Sequence, residues 1–323
     1  MSGVTEIEWA DRVWNPVTGC SKVSEGCRNC YAEALSLRFK RSVGPWNAVN
    51  APRNVILHPD RLADPLKWRQ PARVFVNSMS DLFHELVSDD YIDRVFGVMA
   101  LAQRHTFLVL TKRPERMRAW FAERFQVPYG NGTVGEEDRS DRVFHRMQDF
   151  TDPKNDEHFE PDGSFVWPGW PLPNVWLGTS TEDQRTADER IPHLLNTPAA
   201  VRFLSAEPLL GPIDLRAIPD TVSPGGWVYD ALAGGWYLPA SDDGYPEVSG
   251  DGPDMGLIDW VIAGGESGMR SRPLDLDWAR SLRDQCVAAG VPFFFKQVGG
   301  RTSKAGGRLL DGREWNEMPA VRP

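Results

Sequence analysis

The chain has 323 residues, of which 41% are hydrophobic, and a formal net charge of −9. This size allows one large hydrophobic core, and no apolar run approaches the roughly 18 residues that a membrane span requires. The N-terminus carries acids and no apolar segment typical of a signal peptide, so we expect a cytoplasmic protein with no membrane contact. A chain this acidic is not a general polyanion binder, although it can carry local basic surfaces.

Short apolar segments typical of buried strands alternate with segments of helical periodicity along most of the chain. A short strand is expected before Cys20, and six more are predicted at 73–77, 106–111, 174–178, 201–205, 259–263 and 292–296. Helices are predicted at 31–39, 91–103, 114–125, 183–195 and 275–289. Continuous apolar strands alternating with helices indicate a parallel sheet covered on both faces. We therefore predict an α/β fold, a partial or complete β/α (TIM-like) barrel, with a doubly wound open sheet as the alternative.

Two segments, 127–173 and 217–256, interrupt this alternation because they are rich in Gly, Pro and acidic residues. Both are long for connections inside a compact domain. We predict a single barrel domain over 1–323 in which these segments are long loop insertions. They would serve as lids or substrate-recognition elements, or be decoration without a fixed fold.

Polar side chains follow almost every predicted strand at the point where its apolar run ends. In order along the chain they are Asn77, Ser78, Ser80, Asp81, Lys112, Arg113, Ser180, Glu182, Glu207, Gly264, Gly265, Glu266 and Lys296, where the two glycines offer backbone only. Active sites of parallel α/β folds form at the carboxyl ends of the strands. Carboxylates and hydroxyls suit a ribose or an amino acid, and Lys and Arg suit a carboxylate or phosphate. Each group alone could be only a helix cap or a turn residue.

Three of the four cysteines, Cys20, Cys27 and Cys30, lie in one short segment. In a reducing compartment, clustered cysteines are more often metal ligands or catalytic thiols than disulfides. Three thiolates suit a zinc ion or an iron–sulfur cluster. The fourth cysteine, Cys286, shares an apolar helix face and is expected to be a buried inert thiol. A cluster with one iron open to a ligand therefore fits better than zinc, which would need a remote fourth ligand.

With this Cys-x6-Cys-x2-Cys spacing the segment resembles the radical S-adenosylmethionine (SAM) superfamily. Members bind a [4Fe–4S] cluster through three cysteines after the first strand of a partial β/α barrel, usually with Cys-x3-Cys-x2-Cys spacing. The stretch 14–33 more closely resembles an uncharacterised three-cysteine family first noted in phage genomes. That family also resembles this chain at 77–83, 111–114, 205–208 and 264–268, so the resemblance extends from about residue 7 to 298.

The resemblance implies that Cys20, Cys27 and Cys30 ligate three irons, while the amino and carboxylate groups of SAM bind the fourth. In the superfamily a Gly-Gly-Glu tripeptide after strand two commonly holds that amino group, whereas here the position reads 77–81. Implied cofactor contacts are Asn77, Ser78, Ser80 and Asp81 for the amino group, Lys112 or Arg113 for the carboxylate, Ser180, Glu182 or Glu207 for the ribose, and Gly264, Gly265 and Glu266 for the adenine. Candidate catalytic residues are Lys112, Glu207 and Lys296.

The implied reaction is reductive cleavage of SAM, after which a 5′-deoxyadenosyl radical abstracts hydrogen from the substrate. The implied partners are SAM and an electron donor such as flavodoxin or ferredoxin. A nucleic-acid base, in modification or repair, is the leading candidate substrate, because the similar family is phage-associated and photoproduct lyases of the superfamily act on DNA. Basic clusters at 38–41 and 112–118 and several loop tryptophans permit this, while the net charge opposes it. The alternatives are a zinc-stabilised nucleic-acid- or protein-binding module without catalysis, and a zinc hydrolase.

Overall fold

An eight-stranded, mostly parallel sheet forms the centre of the protein. The structure is a computed structural model, and it describes residues 3–128, 133–151, 159, 166–219, 227–238, 247–249, 255–302 and 305–320. The strands are β1 (Gly3–Val4), β2 (Arg12–Trp14), β3 (Arg73–Val76), β4 (Thr106–Thr111), β5 (Val175–Ser180), β6 (Val201–Ala206), β7 (Trp260–Gly264) and β8 (Phe293–Gln297). Spatial order follows chain order, β2 to β8 are parallel, and β1 is antiparallel to β2. The mixed α/β class and all seven expected strands are confirmed.

Helices connect most of the parallel strands, as the periodicity predicts. They are α1 (Tyr31–Arg38), α2 (Asp89–Leu101), α3 (Pro114–Ala122), α4 (Arg139–Met147), α5 (Gln184–Leu195) and α6 (Leu276–Ala289). Asp183 and Asp275, predicted as helical, are instead the N-caps of α5 and α6, because their side chains accept hydrogen bonds from backbone N–H groups of the first turn.

The two faces of the sheet bury different kinds of neighbour. On β3, Val74 and Val76 point into a core shared with the helices, whereas Phe75 points into a separate core made by the other face of the strands. The ring of Trp9 lies in this second core, 4.7 Å from Phe75 of β3 and 6.4 Å from Trp260 of β7. The indole of Trp9 therefore contacts both β3 and β7, although three strands lie between them in the sheet. The sheet must curve around this inner core to bring the two strands so close. Helices cover the outer face, while side chains of the strands themselves, with Trp9, fill the inner face, so both faces are buried.

The C-terminal residues pack against the start of the curved sheet. Trp260 Nε1 donates to Glu317 O at 2.9 Å, and Arg73 contacts Met318. A short hairpin, Leu309–Leu310 with Arg313–Glu314, precedes them. These contacts cover the N-terminal ends of β3 and β7, so a ligand has access to the inner core from the carboxyl ends.

The two predicted insertions contain regular structure. The first holds a hairpin (Phe125–Pro128 with Val134–Glu137), α4 and a 3₁₀ turn (Gln148–Phe150), and α4 packs against α2. The second holds a four-stranded antiparallel sheet, with strands Ile218–Pro219, Val228–Tyr229, Trp236–Leu238 and Glu247–Ser249. Prediction of loops was wrong for these parts, because strands of two to four residues carry too little periodicity to detect. The remainder of both segments lies outside the described residues.

Smaller elements complete the structure around the cysteine segment. They are the pair Val17–Thr18 with Ile56–Leu57, the α-helical turn Ala51–Asn54, and 3₁₀ turns at Glu25–Cys27, Pro59–Arg61 and Pro65–Lys67. No helix within the described ranges is long and apolar enough to cross a bilayer.

Candidate metal and cofactor site

A cavity of about 790 Å³ opens at the carboxyl ends of the parallel strands. Its apolar wall includes Trp9 and Phe75 of the inner core and Leu110 of β4. Predicted site residues that line it are Cys20, Cys27, Cys30, Asn77, Ser78, Ser80, Asp81, Lys112, Arg113, Ser180, Glu207, Gly265, Glu266 and Lys296. Glu182 and Gly264 are not among its lining residues. The structure therefore gathers nearly all of the residues that the sequence singled out.

The cysteine segment is a loop between β2 and α1 whose path depends on glycine. Gly19 has φ of +85°, and a Cβ there would lie 1.9 Å from the carbonyl oxygen of Asn54. A 3₁₀ turn, Glu25–Cys27, then carries the second cysteine, and Cys30 is the N-cap of α1. The loop runs from Gly19 to Cys30, eleven residues further on, and turns back on itself. All three thiols therefore face one cavity.

Side chains from three different strand ends hold this loop. Ser24 Oγ donates to Glu182 Oε1 at 2.7 Å, and Asn29 Nδ2 donates to Glu266 Oε2 at 2.9 Å. Tyr31 OH donates to the backbone oxygen of Ser78 at 2.7 Å. The loop thus lies across the carboxyl ends of β3, β5 and β7 and covers part of the cavity.

Both oxygens of Glu182 are engaged, one by the loop and one by Arg190. Its side chain is 1% exposed, and Oε2 accepts from Arg190 Nη1 at 3.0 Å while Oε1 accepts from Ser24. Lys112 Nζ lies 3.8 Å from Oε1. A Cβ on Gly26 would lie 2.2 Å from the same oxygen, so loop backbone rests directly on the carboxylate. These contacts describe an anchor for the cysteine loop rather than the ribose contact implied by the resemblance.

Asp81 and Arg113 form a second support beneath Cys20. Asp81 accepts from Thr111 Oγ1 at 2.7 Å, from Lys112 N at 3.0 Å and from Arg113 Nη1 at 3.2 Å. Arg113 Nη1 also lies 3.6 Å from Cys20 Sγ. Burial alone would lower the pKa of Arg113, but the adjacent charges of Asp81 and Cys20 raise it. Arg113 therefore stays cationic beside the sulfur, and Asp81 has little capacity left for a ligand.

The surroundings of Cys20 and Cys30 favour the protonated form of these two thiols. Burial, reinforced by the negative charge of Asp81, raises the pKa of Cys20 to about 12. Burial also raises the pKa of Cys30, although backbone N–H groups of Glu33 and Ala32 oppose it at the start of α1. Binding of iron or zinc must therefore release protons from these groups. In the described part of the chain, no group of three or more His, Cys, Asp and Glu residues is arranged to hold a metal ion.

A Ser–His pair beside Cys20 is not arranged for nucleophilic catalysis. His84 Nδ1 accepts from Leu86 N at 3.1 Å, so the ring proton is on Nε2, which lies 2.9 Å from Ser21 Oγ. Arg113 Nη2 also donates to Ser21 Oγ at 2.9 Å. The imidazole has no free lone pair facing the hydroxyl, and burial lowers the pKa of His84. This group holds Ser21 next to Cys20.

Three charged residues of the predicted site, Lys296, Glu207 and Lys112, remain available to a ligand on the cavity wall. Lys296 Nζ pairs with Glu207 Oε1 at 3.2 Å, and Ser205 Oγ lies 3.4 Å from Glu207 Oε2. Lys112 has its ammonium near Glu182, and its side chain is 18% exposed. These are the three residues that the sequence proposed as catalytic, and all of them face the cavity.

The glycines after β7 are explained by packing. A Cβ on Gly265 would lie 1.9 Å from the backbone oxygen of Val298, and one on Gly264 would lie 2.8 Å from Glu207 Oε1. The next residue, Glu266, accepts from Arg272 Nη2 at 2.7 Å. Burial would raise the pKa of Glu266, but hydrogen bonds from Arg272 and Asn29 lower it. The side chain of Glu266 is therefore an ionised clamp on the loop.

Several residues of the site were missed by sequence reasoning. Ser21, Asn29 and Tyr31 lie inside or beside the cysteine segment, and their proximity to the thiols was a usable signal. Arg272 donates to Glu25 O at 2.9 Å and also to Glu266. No sequence signal linked it to the cysteine loop, because it lies 245 positions beyond Cys27 in a loop without a motif. Of the loop tryptophans, Trp46 lines the cavity, whereas Trp167 and Trp170 pack on the outer core.

Comparison with known proteins identifies a family but no activity. A family model described as "Protein of unknown function (DUF5131)" matches residues 4–319. No curated protein and no solved structure matches the chain. The match covers the cysteine loop and the whole central sheet apart from the first residue of β1. Because it extends over almost the whole chain, the protein belongs to the family described as protein of unknown function (DUF5131).

Proposed function

We propose that the protein is a radical SAM enzyme in which Cys20, Cys27 and Cys30 hold a [4Fe–4S] cluster. The observation that carries this proposal is that three thiols from one loop line the same cavity as the polar carboxyl ends of the parallel strands. A redox cluster and its organic cofactor must share one enclosed space with the substrate, and this cavity offers that space.

The finer fold that we propose is a partial β/α barrel formed by one domain. In a flat sheet β3 and β7 would lie roughly 19 Å apart, at about 4.8 Å per strand spacing. Trp9 lies against both strands, with ring centroids 4.7 and 6.4 Å away. Curvature of this degree, with helices on the outer face only, is typical of strands arranged around a barrel axis.

The donor set fits such a cluster. A [4Fe–4S] cluster takes its protein ligands on separate irons, so three thiolates need not converge on one ion as zinc ligands must. Arg113 Nη1 lies 3.6 Å from Cys20 Sγ, and Ser24 Oγ lies 3.9 Å from Cys27 Sγ. Hydrogen bonds of this kind stabilise bound thiolates and tune the reduction potential. With three thiols in the segment, one iron is left for a ligand.

Groups on the cavity wall fit S-adenosylmethionine. Asn77 lies there with φ of +60°, and its buried Nδ2 has no hydrogen-bond partner within the described residues. This amide and the ammonium of Lys112 would hold the carboxylate of the methionine moiety. Ser180 and the Glu207–Lys296 pair would contact the ribose hydroxyls.

The cluster and SAM, when bound, supply a one-electron reduction that cleaves a carbon–sulfur bond. The protein's part is to bind and orient both groups and to exclude water. Trp9, Phe75 and Leu110 give the cavity an apolar wall that suits a reactive intermediate. A one-electron donor of the flavodoxin or ferredoxin kind would be the partner, and a reducing cytoplasm would be the compartment.

Metal analysis after anaerobic reconstitution with iron and sulfide tests the proposal. We expect about four irons and four sulfides per chain and a brown protein. The Cys27→Ala variant should lose the iron, whereas Cys286→Ala should retain it. The thiol of Cys286 is fully buried in the helical core, and burial raises its pKa to about 12. A colourless protein holding one zinc would refute the proposal, as would equal iron loss in both variants.

A further inference from the structure

One face of α1 (Tyr31–Arg38) leads from the cavity to an exposed end of the helix. Tyr31 and Leu35, one turn apart on the same face, both line the cavity. The same face continues to Arg38 and Phe39, which are exposed to solvent. Glu33 and Ser36 lie on the opposite, buried face. The exposed face is therefore a continuous path from the cavity to the residues that end the helix.

The end of this path is basic, although the chain as a whole is acidic. No Asp or Glu occurs between residues 34 and 59, whereas Arg38, Lys40, Arg41 and Arg53 do, in a chain with a net charge of −9. Arg38 and Lys40 form no ion pair with any residue that the structure describes. Without local carboxylates, Arg38 and Lys40 present positive charge at this end of the helix.

The second basic cluster of the sequence is not available in this way. Arg113 is bound to Asp81 and Ser21 beneath the cysteine loop. Arg116 pairs with Asp89 at 2.9 Å and donates to Val87 O at 2.6 Å. Neither of these two arginines therefore presents its charge to a partner in the way that Arg38 and Lys40 do.

An exposed aromatic ring lies within the cluster. Phe39 is 55% exposed, and the guanidinium carbons of Arg38 and Arg41 lie 5.6 and 5.4 Å from its ring centre. Lys40 has φ of +54°, a left-handed conformation that is costly for a residue other than glycine. This turn brings Lys40 and Arg41 round beside the ring. A partly exposed ring with guanidinium groups packed over it offers a stacking surface and phosphate-binding cations together.

We propose that the surface formed by Arg38, Phe39, Lys40 and Arg41, here called the α1 surface, binds a single-stranded nucleic acid and delivers one of its bases to the cavity. Tyr31 and Phe39 are separated by about 12 Å along the helix axis, at 1.5 Å per residue. That span corresponds to roughly three or four nucleotides at 3.4 Å spacing. The identification of this ligand as the substrate rests on the proposed function, whereas binding itself does not.

Fluorescence anisotropy with a labelled single strand of about 12 nucleotides, as DNA and as RNA, tests the proposal. We expect Phe39→Ala to weaken binding about tenfold, because one stacking contact is lost, and Phe39→Trp to retain it. Lys40→Ala should reduce the slope of log affinity against log salt by about 0.7, as one phosphate contact is lost. The control Arg185→Ala removes an equally exposed cation from α5, whose partner is Glu189, and should bind as the wild type does.

Measuring apoprotein and reconstituted protein separates this inference from the proposed function, because iron content does not enter the anisotropy. Wild-type protein that binds neither strand would overturn the inference, and so would Phe39→Ala binding as tightly as Arg185→Ala. Tighter binding of a duplex of the same sequence would contradict base stacking. If the α1 variants bind both strands normally and lose affinity only for an acidic ferredoxin, the surface docks a protein and the proposal is wrong.

Discussion

Replacing Glu182 by Ala should release the cysteine loop and leave a charge buried without its partner. Glu182 is 1% exposed and Arg190 is 8% exposed, with Oε2 and Nη1 3.0 Å apart. After the replacement, Arg190 Nη1 keeps only the backbone oxygen of Ser180, at 2.7 Å. Breaking a buried ion pair on one side costs about 3–5 kcal/mol. Ser24 also loses its acceptor, so the loop that carries Cys27 loses a support.

Urea denaturation of the apoprotein and iron content after reconstitution measure the two consequences. We expect the free energy of unfolding to fall by about 3–5 kcal/mol and the bound iron to decrease. The double variant Glu182→Met, Arg190→Met removes both charges and should be less destabilised than Glu182→Ala, which a double-mutant cycle quantifies. Unchanged stability and iron content, together with lost SAM affinity, would refute this reasoning and restore the ribose contact that the sequence implied.

Three further predictions follow from packing and charge. Gly26→Ala should lower the unfolding free energy measured in urea by about 1–3 kcal/mol and lower the iron content, because its Cβ would lie 2.2 Å from a carboxylate oxygen of Glu182. The control Gly3→Ala places its Cβ in open space and should change neither the stability nor the iron content. Burial lowers the pKa of His84 and His105, so the unfolded chain binds more protons near neutrality. Lowering the pH from about 7.5 to about 5.5 should therefore reduce the unfolding free energy, by at most about 1.4 kcal/mol per pH unit for each histidine, and a flat profile would contradict this. Arg139→Met should cost about 3–5 kcal/mol, because the 1% exposed carboxylate of Asp93 loses its hydrogen-bonded partner and, among the described residues, keeps only Arg142, 3.9 Å away. The iron content of the folded variant should be unchanged.

The central sheet could be predicted because buried parallel strands are continuously apolar. β4 and β5 read Thr106–Thr111 and Val175–Ser180, and almost every residue in them is buried. Curvature could not be predicted in the same way. It depends on Trp9, which lies outside any strand and contacts Phe75 and Trp260 from distant parts of the chain. Periodicity reports which face a residue takes, and it does not report the shape of the sheet.

The location of the site could be predicted more fully than the task of each residue. Cysteine spacing and polar strand ends were enough to bring Cys20, Ser78 and Lys296 to one cavity. The sequence could not show that Glu182 faces the loop instead of the cavity, because that depends on Arg190 approaching from one helix and Ser24 from a loop 158 positions away. Polar residues at strand ends can bind either a ligand or the protein itself, and only their partners distinguish the two.

Electron paramagnetic resonance of the anaerobically reconstituted and reduced protein, with and without S-adenosylmethionine, decides whether the proposed cluster is present and open to SAM. We expect a [4Fe–4S] signal whose g-values shift when SAM is added, because in the proposed site SAM would bind the iron that Cys20, Cys27 and Cys30 leave open. A protein that holds zinc and gives no signal, or a cluster whose spectrum is unchanged by saturating SAM, would contradict the proposal.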